Sequence, residues 1–177
     1  MSSALDNIEK QLSGGRNYDT PPLHLWHPEL SGDIDIRIHR DGSWYHEGTK
    51  IARDAIVRLF ASILRREEDG EYYLVTPGEK WRIQVDLHPL LVTDVSWGEG
   101  EHNHTLLATL NTDKTVVVNA QHPLFQEQKM DNIAALTLPH GLAALFSRNA
   151  WYRLVDMAEH RRDQVVVVSD GQSYILG

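Results

Sequence analysis

At 177 residues, with 41% hydrophobic and 24% charged side chains, the chain is long enough for one domain or two small ones with a packed core, and its composition excludes global disorder. Acidic residues outnumber basic ones by 25 to 17, and the resulting net charge of −8 repels phosphate backbones, which argues against nucleic acid as a partner. The absence of cysteine excludes disulfides, thiolate metal sites, iron–sulfur clusters and cysteine nucleophiles; with no basic and apolar leader and no apolar run near the ~20 residues of a membrane span, the expectation is a soluble cytoplasmic protein without membrane contact.

The first element in chain order is a short helix over residues 3–12, with Leu5, Ile8 and Leu12 at helical spacing, Ser2 or Ser3 as cap and Gly14-Gly15 as stop. A loop punctuated by Pro21-Pro22 and Pro28 follows. Residues 33–38 (DIDIRI) alternate polar and apolar, the pattern of a strand buried on one face, and Asp41-Gly42 turns the chain into a return strand over 43–47. Residues 51–66 read as a helix burying Ala52, Ala55, Ile56, Leu59, Phe60 and Ile63. A second hairpin spans 72–85, turning at Pro77-Gly78, and a further strand covers 90–97.

The polar stretch 98–104 (GEGEHNH) reads as the seam between halves. Beyond it lie a hairpin over 106–119, an irregular insertion over 120–138 and a helical region over 141–160, with Asn149 a candidate cap for a second segment. A last hairpin, 165–176, turns at Asp170-Gly171. Both halves thus read hairpin, helix, hairpin. The expected architecture is α+β, two related ββαββ motifs packed together as an internal repeat, divided into an N-terminal helix and linker (1–20), a first motif (21–98) and a second (99–177).

At GDIDIRIHRDGSWYHEG, RLFASILRR, DGEYYLVTP and EKW, the sequence resembles a bacterial family, domain-of-unknown-function family 1285. The resemblance covers the first half well and the second loosely. It implies a two-part α+β protein with related motifs and a role in ligand sensing or signalling. It carries no catalytic residues over, and it does not extend to the loop at 99–104.

The candidate site lies on the first hairpin. A two-residue turn at Asp41-Gly42 would pair His39 with Trp44, Ile38 with Tyr45 and Arg37 with His46. One face would then hold Ile34, Ile36, Ile38 and Tyr45, and the other Asp33, Asp35, Arg37, His39, Trp44 and His46. Two carboxylates, a guanidinium, two imidazoles and an indole can grip a polar ligand with a flat part. The loop before it adds His24 and Trp26, beside His27. Against this stands the plainer reading of a solvated sheet face whose charges pair across strands.

Ten histidines raise the question of metal. Glu99, Glu101, His102 and His104 are suitable ligand types, but their spacing matches no established metal motif, and a polar connection has the same composition. No nucleophile elbow and no phosphate-binding loop is present. The sequence therefore points to a non-catalytic module that binds a small polar ligand or a protein partner, with no cofactor. The alternatives are a metal-assisted hydrolase using Asp33 or Asp35 with His39 or His46, and a purely structural interaction domain. Exposed hairpin strands are compatible with edge-to-edge dimers, but nothing in the sequence sets the oligomeric state.

Overall fold

The computed structural model describes residues 4–12, 20–99 and 104–177. The chain divides into two compact units, Met1–Leu87 and His88–Gly177. The division therefore precedes the 98–104 loop.

The first unit contains α1 (Ala4–Leu12), a 3-10 turn (Leu23–Leu25), β1 (Leu30–Ile38), β2 (Trp44–His46), β3 (Thr49–Lys50), α2 (Asp54–Ser62), β4 (Leu64–Arg66), β5 (Tyr72–Val75) and β6 (Lys80–Val85). Its strands form a six-stranded sheet in the order β3-β2-β1-β6-β5-β4. Two three-stranded meanders are thus joined through their first and last strands, β1 and β6, which run parallel. The intervening helix makes that crossover possible, since a parallel pair cannot be closed by a tight turn.

Period-2 alternation in β1 buries Ile36 and Ile38 on one face, where Trp44, Leu64, Leu74 and Ile83 join them. Phe60 of α2 seals this core, its ring 6.3 Å from that of Trp44. The helix is shorter than the apolar periodicity suggests. Ile63 leaves the helical region, and Leu64–Arg66 pair with β5 instead, so strand pairing overrides helical propensity. Of the expected stripe on this segment, Phe60 and Ile63 are fully buried, whereas Ala52 and Ala55 are exposed. The Ser2 or Ser3 cap and the Gly14-Gly15 stop expected for α1 lie outside the described residues.

The second unit contains β7 (Leu90–Trp97), β8 (Leu106–Leu110), β9 (Thr115–Val118), β10 (Leu124–Glu127), a 3-10 turn (Gln128–Met130), β11 (Ile133–Thr137), β12 (Ala143–Phe146), α3 (Arg148–Met157), β13 (Glu159–Arg161), β14 (Gln164–Ser169) and β15 (Gln172–Ile175). Its main sheet has the order β10-β11-β12-β7-β8-β9, again two meanders joined by a parallel pair, β7 with β12. The strand order is that of the first unit. The protein is α+β with two similar six-stranded sheets, as the internal repeat implied.

The repeat, however, is built from different segments than the hairpin–helix–hairpin reading chose. Leu90–Trp97 is a central strand of the second sheet rather than the end of the first half. The supposed insertion at 120–138 supplies β10 and β11. Residues 143–146 form a fully buried strand rather than the start of a helix, because a short apolar run looks alike in either state. Helix α3 starts later and is capped by Ser147, whose hydroxyl accepts the Ala150 N–H at 3.2 Å, rather than by Asn149. It precedes a separate three-stranded sheet, β13-β14-β15. No helix among the described residues is long and apolar enough to cross a membrane.

Candidate functional site

The polar face of the first sheet is set by the loop joining β1 and β2. The His39 N–H bonds to Ser43 O and the Gly42 N–H to His39 O, so the loop has three residues, Arg40–Gly42, with Gly42 at φ 84°. This is a type I turn followed by a left-handed glycine, a common three-residue hairpin loop. The Asp41 carboxylate secures it by accepting the Ser43 N–H at 2.9 Å.

The extra loop residue shifts the register by one. Ile36 pairs with His46, Arg37 with Tyr45 and Ile38 with Trp44. A one-residue slip exchanges the faces of the whole return strand. Trp44 therefore enters the core at 1% exposure, and His46 lies on that same side, half-buried. Tyr45 takes their place on the polar face, where His39 stacks on it with ring centroids 4.2 Å apart. Asp33, Asp35 and Arg37 project from that face of β1 as expected, all exposed.

The ion pairs on this face run to β6 and not along the hairpin. Arg82 grips Asp33 with both Nε (2.7 Å) and a terminal nitrogen (3.0 Å). That fork holds the Asp33 carboxyl below its usual range and raises the Arg82 guanidinium. Arg37 donates through Nε to Asp86 at 2.7 Å. The Asp35 carbonyl accepts the Glu47 N–H at 3.0 Å, but its carboxylate has no hydrogen-bond or ion-pair partner among the described residues, and exposed Gln84 lies beside Arg37 in register. Lys50 pairs with Tyr45 at the outer margin.

The neighbouring part of the face is covered. Arg65 of β4 donates to Leu23 O (3.0 Å) and Trp26 O (2.9 Å), which anchors the 23–26 segment to the sheet. Its other nitrogens bond to Glu67, whose second oxygen accepts Lys80 Nζ at 2.8 Å. Burial alone would raise Glu67, but the Lys80 and Arg65 bonds outweigh it and hold the carboxyl low. Lys80 Nζ lies 4.8 Å from the centre of the Tyr73 ring. The Tyr73 hydroxyl donates to Asp69, and this bond, followed by burial, pushes the phenol up to about 12. Trp26 thus contributes its backbone to a structural clasp. His24 is exposed, and its carbonyl accepts a bond from the His27 ring.

Sequence reasoning missed Tyr45, Arg82, Gln84 and Asp86. The first needed the correct loop length. The others needed the β1–β6 pairing, which joins residues 49 positions apart and leaves no local signal. In the 99–104 loop, Glu101 and His102 lie outside the described residues, while His104 is exposed and its carbonyl accepts the Asp170 N–H. No group of three or more histidine and acidic side chains among the described residues is arranged to hold a metal ion. For the hydrolase alternative, His46 is on the opposite face from Asp33 and Asp35, and the Asp33 carboxylate is engaged by Arg82.

Two family models match the chain: the N-terminal domain of the Domain of unknown function (DUF1285) over residues 21–87, and the C-terminal domain of the Protein of unknown function (DUF1285) over residues 89–176. A comparison with curated proteins found no match. Among solved structures, a DUF1285 family protein from Silicibacter pomeroyi DSS-3 is 36% identical with a TM-score of 0.82, covering 96% of this chain and 93% of that one. A DUF1285 family protein from Shewanella baltica OS155 is 29% identical with a TM-score of 0.56, covering 70% of this chain and 92% of that one. The chain belongs to the DUF1285 family.

Proposed function

We propose that the protein is a non-catalytic binding module, and that the polar face around Asp35, Arg37, His39, Tyr45 and Gln84 takes a small polar ligand. The observation that supports this reading is an asymmetry between the two sheets. Parallel strands are ordinarily covered on both faces and read as continuous apolar runs. The central pair of the second sheet obeys this, matching Ala144 with Leu90, Leu145 with Leu91 and Phe146 with Val92. The central pair of the first sheet instead matches Asp33 with Arg82 and Arg37 with Gln84. Placing charged, exposed side chains at the middle of a parallel pair forgoes apolar burial that the sister sheet uses. Such local departures from the folding rules concentrate at functional sites. A small-ligand module of this kind fits a sensing or signalling role in the cytoplasm, and a protein partner is the alternative occupant of the same face.

The test is a thermal-shift screen of the whole chain against divalent metals, nucleotides, amino acids and small organic acids. A ligand at a hundred times its dissociation constant stabilises the fold by about 2.7 kcal/mol, a readily measured shift. A stabilisation abolished by Arg37→Ala supports the reading. One that persists unchanged in Arg37→Ala and Tyr45→Ala places the site elsewhere and rejects it.

A further inference from the structure

We propose that the ligand of this face is a free α-amino acid with a planar side chain, an inference that rests on the binding-module reading above. It begins with an irregularity in β1. From Asp33 to Arg37 this strand advances four residues while its partner advances two, from Arg82 to Gln84. A bulge between parallel strands is rare, and bulges serve to re-aim side chains beside functional sites. This one lies at the centre of the sheet, and Asp35 sits within it.

The groups around Asp35 are complementary to a zwitterion. Its own carboxylate is exposed and has no partner among the described residues, which suits an ammonium group. Two residues on, Arg37 is bonded to Asp86 through Nε, which leaves its pair of terminal nitrogens to receive a carboxylate bidentately. Side chains two apart on a strand stand about 6.5 Å from each other, room for one small zwitterion between their ends. Asp86 keeps Arg37 oriented from the side away from the hairpin.

On the other side, Tyr45 is in register with Arg37 and carries the His39 ring stacked at an interplanar angle of 21°. This aromatic platform offers a flat surface to a planar side chain. Arg82 is not a competing carboxylate receptor, because Asp33 occupies its fork. The carboxylate and the guanidinium thus have distinct assignments: Asp35 for the ammonium, Arg37 for the carboxylate.

The experiment is calorimetric titration of the full chain with L-phenylalanine, L-tyrosine and L-tryptophan, alongside 3-phenylpropanoate, which lacks the ammonium, and phenethylamine, which lacks the carboxylate. Amide-shift mapping is run in parallel. The expected result is binding of at least one of the three amino acids, with shifts at residues 35, 37 and 45, and weakening by about tenfold or more when either charged group is removed. Asp35→Asn should weaken the amino acid by the same factor and leave 3-phenylpropanoate unchanged, while Arg37→Gln should weaken both. Both side chains are exposed, so these variants leave the core intact. If 3-phenylpropanoate binds as tightly as the amino acids, or Asp35→Asn has no effect, the zwitterion assignment fails while the binding face stands. If none of these probes and nothing in the wider screen shifts the face, both readings fail.

Discussion

Ser169 provides the sharpest test of how the second unit is held together. It lies at the end of β14 with no exposed surface. Its hydroxyl donates to Val118 O at 2.6 Å and accepts the Leu106 N–H at 2.7 Å, so one oxygen joins β14 to both β8 and β9. Leu106 and Val118 are themselves fully buried. Ser169→Ala removes almost no volume but leaves a buried N–H without its acceptor, at a cost of about 1–3 kcal/mol, and takes a donor from a buried carbonyl as well. The two losses overlap, so the expected destabilisation is about 2–4 kcal/mol. Chemical denaturation followed by circular dichroism measures the total. Because two units need not unfold as one, hydrogen exchange at the Leu106 amide isolates the local effect. Ser169→Thr, which retains the hydroxyl, should lose less than the alanine variant. A loss below about 0.5 kcal/mol in Ser169→Ala, the level of an ordinary surface change, with Leu106 exchange unaltered, would refute the bridging role.

Three further outcomes are expected. Gly32 has φ 147°, and a Cβ there would sit 3.3 Å from Cζ3 of Trp81, so Gly32→Ala should cost about 1–3 kcal/mol in a denaturation experiment; an unchanged midpoint would show that the strand relaxes freely. The Trp44 indole N–H is buried without a partner among the described residues, so Trp44→Phe should cost only about 1–2 kcal/mol against about 3–5 for Trp44→Ala, and equal losses would mean that the nitrogen has a role. Tyr73, raised by the Asp69 hydrogen bond to about 12 from 10.0, contributes stability that is complete below pH 10 and lost as pH rises towards 12, whereas Asp69, lowered first by the Tyr73 hydroxyl, contributes stability that is lost as pH falls through the carboxylate range. The phenolate absorbance of wild type and Asp69→Asn checks this pair, and the Tyr73 transition should move to lower pH in the variant.

The strand content of the first unit was legible because DIDIRI alternates and because glycine and proline mark the turns. What was not legible is instructive, since the same dipeptide occurs three times with two outcomes. At Asp170-Gly171 both residues are left-handed, with φ 51° and 74°, and Ser169 faces Gln172 across a two-residue turn. At Asp41-Gly42 and Asp69-Gly70 only the glycine is left-handed, and each aspartate instead accepts the N–H two residues on, from Ser43 and Glu71. Those loops have three residues.

Nothing within the dipeptide distinguishes these cases; the strands beyond it do. A two-residue turn at 41–42 would have put Trp44 opposite His39, on the wet face with Asp35 and Arg37. The longer loop puts it opposite Ile38, where it loses nearly all its exposure. Burying so large an aromatic side chain is worth several times the difference between two acceptable turns. Register was therefore decided by tertiary packing, and the site residues on β2 followed from it: Tyr45 outward, Trp44 and His46 inward. The pairing of β1 with β6 lies further still from local reach. Asp33 finds Arg82, and Arg37 finds Asp86, only after a helix and four strands have intervened. The polar character of β1 was written in the alternation of six residues. What that polarity is available for depends on which charges β6 neutralises, and β6 leaves Asp35 unneutralised, at one of the two points where the strands fall out of step.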